Sequence, residues 1–554
     1  MNINEKFKKY KLKPSNESME DICKPSKFKL QPQQLFLRDY FSTKHKEKGL
    51  LVYHKIGAGK TCTVITIAEQ LKKKMNIMVI LPAALIGNFK DELRSECGGY
   101  MTSDEKNELK DLVPRDKKYK TILDNIDKRI DNYYTIYSYH TFIMLCEENK
   151  IKLKNTLLII DEIQNMISEN GSFYTNLKKV IDKSDIDTKL LLLSATPMFD
   201  KPNEIALTLN LLNADLPIGL EFNNMFLKTI KNKDSSENID YEIINTDIFK
   251  KSLKNLVSYY RGAPPQSYPK TIFKIVRCNM EPFQYKSYKT ILEEKEYKQF
   301  NSRDILKLPS NFLLGPRFIS NIAFPNKSIG EKGFASLTGN NLEKKNIMKY
   351  SKKFYKILRK VNQSKGSNFI YSNFKDIGGI RSLIQYMEHN GYKSYTQYGP
   401  GKKRYAVWSG DEPHHIKEEI KYIFNKKENS DGSLIRVILG SPSIKEGVSL
   451  LRVSQVHILE PYWNMSRMLQ IIGRAIRFCS HKDMPRNRRK VEVFLYLSTY
   501  KGEHTIDEYI WEMAQKKQLL ISKFETILKE NAIDCKLFYH RNVYKNDKAL
   551  KCSI

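Results

Sequence analysis

No stretch of the 554-residue sequence approaches the roughly 18 consecutive apolar residues that a membrane-spanning helix requires. The start, Met1 to Ser18, is polar and lysine-bearing and lacks the apolar run of a secretion signal, so a soluble protein with no membrane partner is expected. The eight cysteines form no C-x-x-C pair and no Cys/His cluster with zinc spacing, which removes zinc-ribbon and dithiol-redox classes and suggests reduced thiols. Acidic residues are also scarce. Against 94 Lys and Arg stand only 62 Asp and Glu, a formal net charge of +32. Such a surplus favours a polyanion, because each Lys or Arg that meets a phosphate releases condensed counterions. Internal repeats are absent, and low complexity is confined to short lysine runs such as Lys72–Lys74.

Hydrophobic residues make up 41% of the chain, enough for more than one core. Short apolar runs alternate with amphipathic stretches in two long regions, the pattern of parallel sheets covered by helices, so an α/β fold is expected. Strands are predicted at Leu50–Tyr53, Ile77–Leu81, Leu157–Ile160 and Leu190–Leu193. In the second region they are predicted at Phe369–Tyr371, Arg436–Leu439, Val456–Leu459 and Val491–Leu497. This divides the chain into an N-terminal tail (1–27), a first α/β lobe (28–212), a mostly helical connector (213–346), a second α/β lobe (347–500) and a helical C-terminal extension (501–554). The connector contains a polar run, Lys231–Asp240, and a helical stretch, Gln284–Phe300. Thr505 with Glu508 forms a capping box for a helix reaching about Lys529, whose apolar face is expected to pack on the second lobe.

Gly57-Ala58-Gly59-Lys60-Thr61 lies between a predicted strand and a predicted helix. Gly57 and Gly59 let backbone N–H groups turn toward phosphate oxygens, Lys60 would reach the outer phosphates, and the Thr61 hydroxyl would ligate Mg²⁺. His54 stands where the usual pattern has its first glycine, and a lone G-K-T is common. The apolar run Leu157–Ile160 ends in Asp161-Glu162, two acids that are costly at a buried strand end unless they meet cations. Asp161 would hold Mg²⁺ through water, and Glu162 would orient or deprotonate the attacking water. A third strand ends in Ser194-Ala195-Thr196-Pro197.

These three segments, in this order, resemble the superfamily 2 helicases. The resemblance implies two RecA-like P-loop domains in tandem that use ATP and Mg²⁺ and bind nucleic acid. Gln34 then matches the family's adenine-reading glutamine, and Leu81–Phe89 matches the loop and helix start that hold the nucleic-acid backbone. The second region is similar in Gly440–Leu450, Glu460-Pro461-Tyr462-Trp463-Asn464 and Gln470–Arg477. By that resemblance Arg474 and Arg477, three apart on an expected helix, act as arginine fingers. Pro461, Trp463 and Asn464 look like the chromatin-remodelling branch, whose members track along duplex DNA. His54, Val257–Gly262, Trp408-Ser409-Gly410 and Ala532–Cys535 are more similar still to ATPases of poxviruses and other large cytoplasmic DNA viruses. That group includes the early transcription factor small subunit and nucleoside triphosphate phosphohydrolase I, and helicases of yeast linear plasmids look alike. The resemblance implies duplex DNA before RNA as partner, contact with an RNA polymerase or transcription factor, and residence in the virion and host cytoplasm. Two readings remain at this point: a translocating ATPase acting in transcription initiation or termination, and a promoter- and polymerase-binding subunit that ATP switches. Nucleic-acid contacts are expected near Gly87 and at the basic run Arg486–Lys490.

Overall fold

Fifteen strands among the described residues form two parallel sheets and one hairpin. The computed structural model of the chain describes residues 3–14, 17–24, 27–42, 45–112, 116–169, 171–231, 239–293, 314–445 and 448–553. In chain order the strands are β1 (Gly49–His54), β2 (Asn76–Leu81), β3 (Tyr134–Ser138), β4 (Thr156–Ile160) and β5 (Lys189–Ser194), then the hairpin β6 (Leu227–Lys231) and β7 (Ile239–Ile243). They continue with β8 (Val257–Tyr260), β9 (Lys270–Asn279), β10 (Asn368–Tyr371), β11 (Lys393–Ser394), β12 (Arg404–Trp408), β13 (Val437–Gly440), β14 (Gln455–Ile458) and β15 (Lys490–Thr499). All eight strands expected from the apolar runs are present.

The chain divides into two units. The first comprises Met1–Glu17, Lys24–Pro264 and Leu519–Ile554, and the second Ser18–Cys23 and Pro265–Gln518. The segment expected to stand apart as a connector is therefore shared between them. Its residues 257–260 extend the first sheet as β8, and its residues 270–279 extend the second as β9. The end of the expected helix Gln284–Phe300 and most of the polar run after Lys231 lie outside the described residues.

The first sheet has the order β3-β2-β4-β5-β1-β8, every pair parallel. Its central strands are buried along their whole length because helices cover both faces, which is why they read as unbroken apolar runs. The same order sets the carboxyl ends of β4, β5 and β1 side by side, where ligands of open α/β sheets bind.

The second sheet runs β11-β12-β13-β10-β14-β15-β9, again all parallel. Phe369 and Tyr371 of β10 face one core and Ile370 the other, as the strand period of two demands. The helix Ile506–Glu530 starts at the expected cap, with Glu508 N donating to Thr505 Oγ1 and Thr505 N donating to Glu508 Oε2. Only its residues up to Gln518 group with the second unit, and those from Leu519 onward group with the first, which departs from the expected packing on the second lobe. Phe524 is the reason: its ring lies 5.7 Å from Phe222 and 5.5 Å from Phe249, both in the first unit. No helix among the described residues is long and apolar enough to cross a membrane.

The thiols also differ from expectation. Disulfides join Cys23 to Cys479, Cys62 to Cys97 and Cys535 to Cys552, leaving Cys146 and Cys278 as buried free thiols. Sequence separations of 456, 35 and 17 carry no local spacing signal, so the chain alone could not show the pairs.

Candidate nucleotide site

The phosphate loop leaves β1 and enters the helix Lys60–Leu71 through Gly59, which caps the helix with φ of 73°. Gly57 has φ of 81°. Both angles lie in the left-handed region where a side chain is strained, so the sequence needs glycine there. A Cβ on Gly59 would also come within 2.9 Å of Gln34 Nε2.

Lys60 does not face open solvent. Its side chain is 12% exposed, and its Nζ lies 3.0 Å from Glu162 Oε1 and 3.6 Å from Asp161 Oδ1. Burial opposes the Lys60 charge, but the attraction of Glu162 and Asp161 outweighs it and holds the ammonium pKa above its ordinary value. Burial pushes the Asp161 carboxyl above the usual carboxylate range while Lys60 pulls the other way.

Glu162 itself adopts φ of 53°, rare for a residue with a side chain. Tyr139, at the start of the helix after β3, donates its hydroxyl to the Asp161 and Glu162 carbonyls and so fixes that turn. From Glu162 a relay runs to β5: Gln164 Nε2 donates to Glu162 Oε2 at 2.5 Å, and Ser194 Oγ donates to Gln164 Oε1 at 2.7 Å. Thr196 N closes it by donating to Ser194 Oγ at 3.0 Å. The acid pair and the Ser194–Thr196 segment thus form one hydrogen-bonded unit.

Gln34 lies against the phosphate loop rather than standing clear of it. Its Oε1 accepts from Gln31 N at 2.8 Å, and its Nε2 donates to the Gly59 carbonyl at 3.4 Å. The neighbouring Gln33 approaches the Ala58 carbonyl at 3.5 Å.

In the second unit, Asn464 caps the helix Met465–Ala475 by accepting from Arg467 N. Ile476 leaves helical geometry with ψ of 88°, so Arg474 is in the last turn and Arg477 beyond it. The two arginines do not share a helical face as their spacing suggested. Both instead border the segment 448–450: Leu450 N donates to the Arg474 carbonyl at 2.9 Å, and Arg477 Nη2 donates to the Val448 carbonyl at 3.1 Å. Glu446 and Gly447 of the same motif lie outside the described residues. Glu460 is buried and accepts from Ser372 Oγ and from Asn321 Nδ2, which ties its loop to the end of β10. Above it the Arg317 guanidinium sits 4.8 Å from the Trp463 ring centre.

The basic run Arg486–Lys490 is largely engaged within its own unit. Arg486 and Arg489 pair with Glu20, and Arg488 donates to the Lys365 and Ser430 carbonyls. The helix start at Gly87, by contrast, is exposed, with nothing within 4 Å of where a Cβ would stand.

A family model described as SNF2-related domain matches residues 33–322, and the helicase conserved C-terminal domain matches residues 350–479. The chain belongs to the SNF2-related helicases. A protein of Acanthamoeba polyphaga mimivirus named as an ATP-dependent RNA helicase is 50% identical over 99% of this chain and 96% of its own length. A protein of invertebrate iridescent virus 3 named as a helicase is 28% identical, over 90% of this chain and 52% of its own. An African swine fever virus protein named as a termination factor, an NPH-I homologue, is 24% identical over 88% of this chain and 76% of its own. This SNF2-related helicase is accordingly a nucleic-acid-dependent ATP hydrolase.

The residues around its phosphate loop fit Mg²⁺. Thr61 lies in the first turn of the helix at the loop, and Asp161 is a buried carboxylate within the same cluster, hard oxygen donors of the kind that leave positions for phosphate and water. Sequence reasoning missed Tyr139, in a segment with no motif of its own, and did not single out Gln33 beside Gln34 or Gln164 two residues beyond Glu162, all of which touch the site.

Proposed function

We propose that this SNF2-related helicase is a duplex-DNA-stimulated ATPase that moves along DNA during viral transcription, at initiation or termination. The observation that carries it is the Lys60–Glu162–Asp161 cluster at adjoining strand ends of a chain matched by the SNF2-related model. Lys60 binds the outer phosphates, exchanging its two carboxylate partners for phosphate oxygens. Gln34 reads the adenine edge. Glu162, held by Gln164, orients and accepts a proton from the attacking water. Thr61 and Asp161 would hold Mg²⁺, which when bound would offset phosphate charge. Arg474 and Arg477 stabilise the charge of the transition state, as the resemblance implies.

The DNA preference rests on the resemblance carried by Pro461, Trp463 and Asn464, polymerase contact on the resemblance to the viral transcription ATPases, and the termination role also on the name of the termination-factor relative. The proposed place of action, the virion and host cytoplasm, is what the resemblance to the viral ATPases implies. The test compares ATP turnover with duplex DNA, single-stranded DNA and RNA of equal length, at several salt concentrations. The expected result is greatest stimulation by the duplex and binding that weakens steeply with salt. Greater stimulation by RNA would replace this reading with the activity named for the half-identical relative.

A further inference from the structure

Two consecutive residues at the root of the phosphate loop are held by the far end of the chain. His54 Nε2 lies 3.0 Å from Ser258 Oγ, which donates to the Asp534 carboxylate, and all three residues are fully buried. Lys55, the next residue, extends its Nζ to Glu525 Oε1 at 3.4 Å and to the Ala195 carbonyl at 3.3 Å. Glu525 belongs to the helix Ile506–Glu530, in the part that groups with the first unit.

We propose that Glu525 is a positioning residue for ATP hydrolysis, acting through Lys55 on the phosphate loop and on the Ser194–Thr196 segment. The inference rests on the ATPase reading of the site and deepens it. Lys55 joins the two segments that the reaction must move together. On one side it begins the loop that ends in Lys60. On the other it holds the carbonyl next to Ser194, whose hydroxyl runs through Gln164 to Glu162. The ring of contacts is closed by Lys60 against Glu162. An ammonium shared between a carbonyl and a carboxylate keeps its direction only while the carboxylate is charged and in place. Glu525 meets that condition: its side chain is 10% exposed, and Lys529 Nζ lies 3.2 Å from its second oxygen. Burial alone would raise its pKa, and the Lys55 and Lys529 charges outweigh that and hold it below the usual range. A helix-docking ion pair would suffice for stability anywhere on the helix; this one ends on the loop root and the Ala195 carbonyl.

The test uses the full chain with Glu525→Gln, Lys55→Met and the double variant. Wild-type turnover is measured alongside, so that absence of ATPase in the wild type would count against the parent reading and not against this one. Turnover at saturating ATP and nucleic acid, nucleotide affinity with a fluorescent ADP analogue, and melting temperature are recorded. Each single variant is expected to lose about tenfold in kcat, the scale of a sub-ångström misplacement of a reacting group, with affinity within about twofold. The double variant is expected to lose no more than either single, because one contact carries both effects. Turnover per folded molecule at the wild-type rate, even with a lowered melting temperature, would overturn the proposal by leaving Glu525 a docking contact only. Multiplying losses in the double variant would overturn it equally, since Glu525 would then not act through Lys55.

Discussion

Replacing Gln164 by Ala should slow ATP hydrolysis without weakening nucleotide binding. Gln164 is 6% exposed and makes two bonds, one to Glu162 Oε2 at 2.5 Å and one from Ser194 Oγ at 2.7 Å. The substitution removes a donor that fixes the Glu162 carboxylate and leaves the contact with Lys60 in place. A hydrogen bond to a charged group contributes about 1.5–3 kcal/mol, and at about 1.4 kcal/mol per tenfold this becomes roughly 10- to 100-fold in kcat. Ser194 is fully buried and loses its acceptor, an additional cost of about 1–3 kcal/mol that falls on stability. Lys60 and the glycines of the phosphate loop keep their contacts, so nucleotide affinity should stay within about twofold of wild type. Steady-state turnover at saturating nucleic acid, paired with equilibrium binding of a fluorescent nucleotide, separates the two quantities. A Gln164→Ala enzyme with wild-type kcat would show that the relay is structural and that Glu162 needs no orientation from β5.

Glu162→Gln should bind ATP while hydrolysing it about 100-fold more slowly, measured as single-turnover hydrolysis of bound nucleotide. Arg477→Ala should retain nucleotide affinity and lose about three orders of magnitude in nucleic-acid-stimulated turnover; Arg477→Lys should recover little, since an ammonium lacks the planar fork. Asp534 has a carboxyl pushed by burial from 3.8 to about 7, so between those values the folded chain holds a proton that the unfolded chain has released, and its contribution to stability falls as pH rises through 7. Asp534→Asn should therefore gain melting temperature relative to wild type on going from pH 5 to pH 8, and a constant gap would refute the assignment. Lys353 and Asp507 are both fully buried, 2.7 Å apart, so Lys353→Met should cost about 3–5 kcal/mol in denaturant unfolding, with part recovered in Lys353→Met/Asp507→Asn.

The motifs were legible because each is a local pattern. An apolar strand that ends in Asp161-Glu162, or a loop that needs Gly57 and Gly59, shows its chemistry within a few residues. The strands that escaped notice, β3, β6, β7, β8, β9, β11 and β12, are short or carry polar and aromatic residues. In β9 most side chains are exposed along one edge of its sheet, so no apolar run announces it. Tyr139, Gln33, Lys55 and Glu525 act through tertiary placement: Lys55 meets Glu525 across 470 positions, a separation that periodicity cannot bridge. No local pattern shows that Lys60 is enclosed by Asp161 and Glu162. The acid pair that encloses it was identified, but its distance could come only from the parallel order of β4, β5 and β1.

The placement of residues 519–554 in the first unit has a consequence for how the protein comes into being. Ile533, Leu537 and Phe538 share the first core with Phe7, Tyr10 and Phe36, and the Phe36 and Phe538 rings lie 5.7 Å apart. Ile533 N donates to the Val257 carbonyl at the start of β8, and Leu12 N donates to the Leu537 carbonyl. A ribosome that has made all six strands of the first sheet has still to translate Pro265–Gln518, the long segment of the second unit, before these residues emerge. At about 5–20 residues per second that interval lasts some tens of seconds. Throughout it the nascent chain carries a phosphate loop whose root is not yet anchored and an apolar face that is not yet covered. The unit that carries the phosphate loop thus gains residues 519–554 only after the long segment of the second unit has been made. A chain cut short before Ile533 would expose Phe36 and Tyr260 and offer them to chaperones or to aggregation.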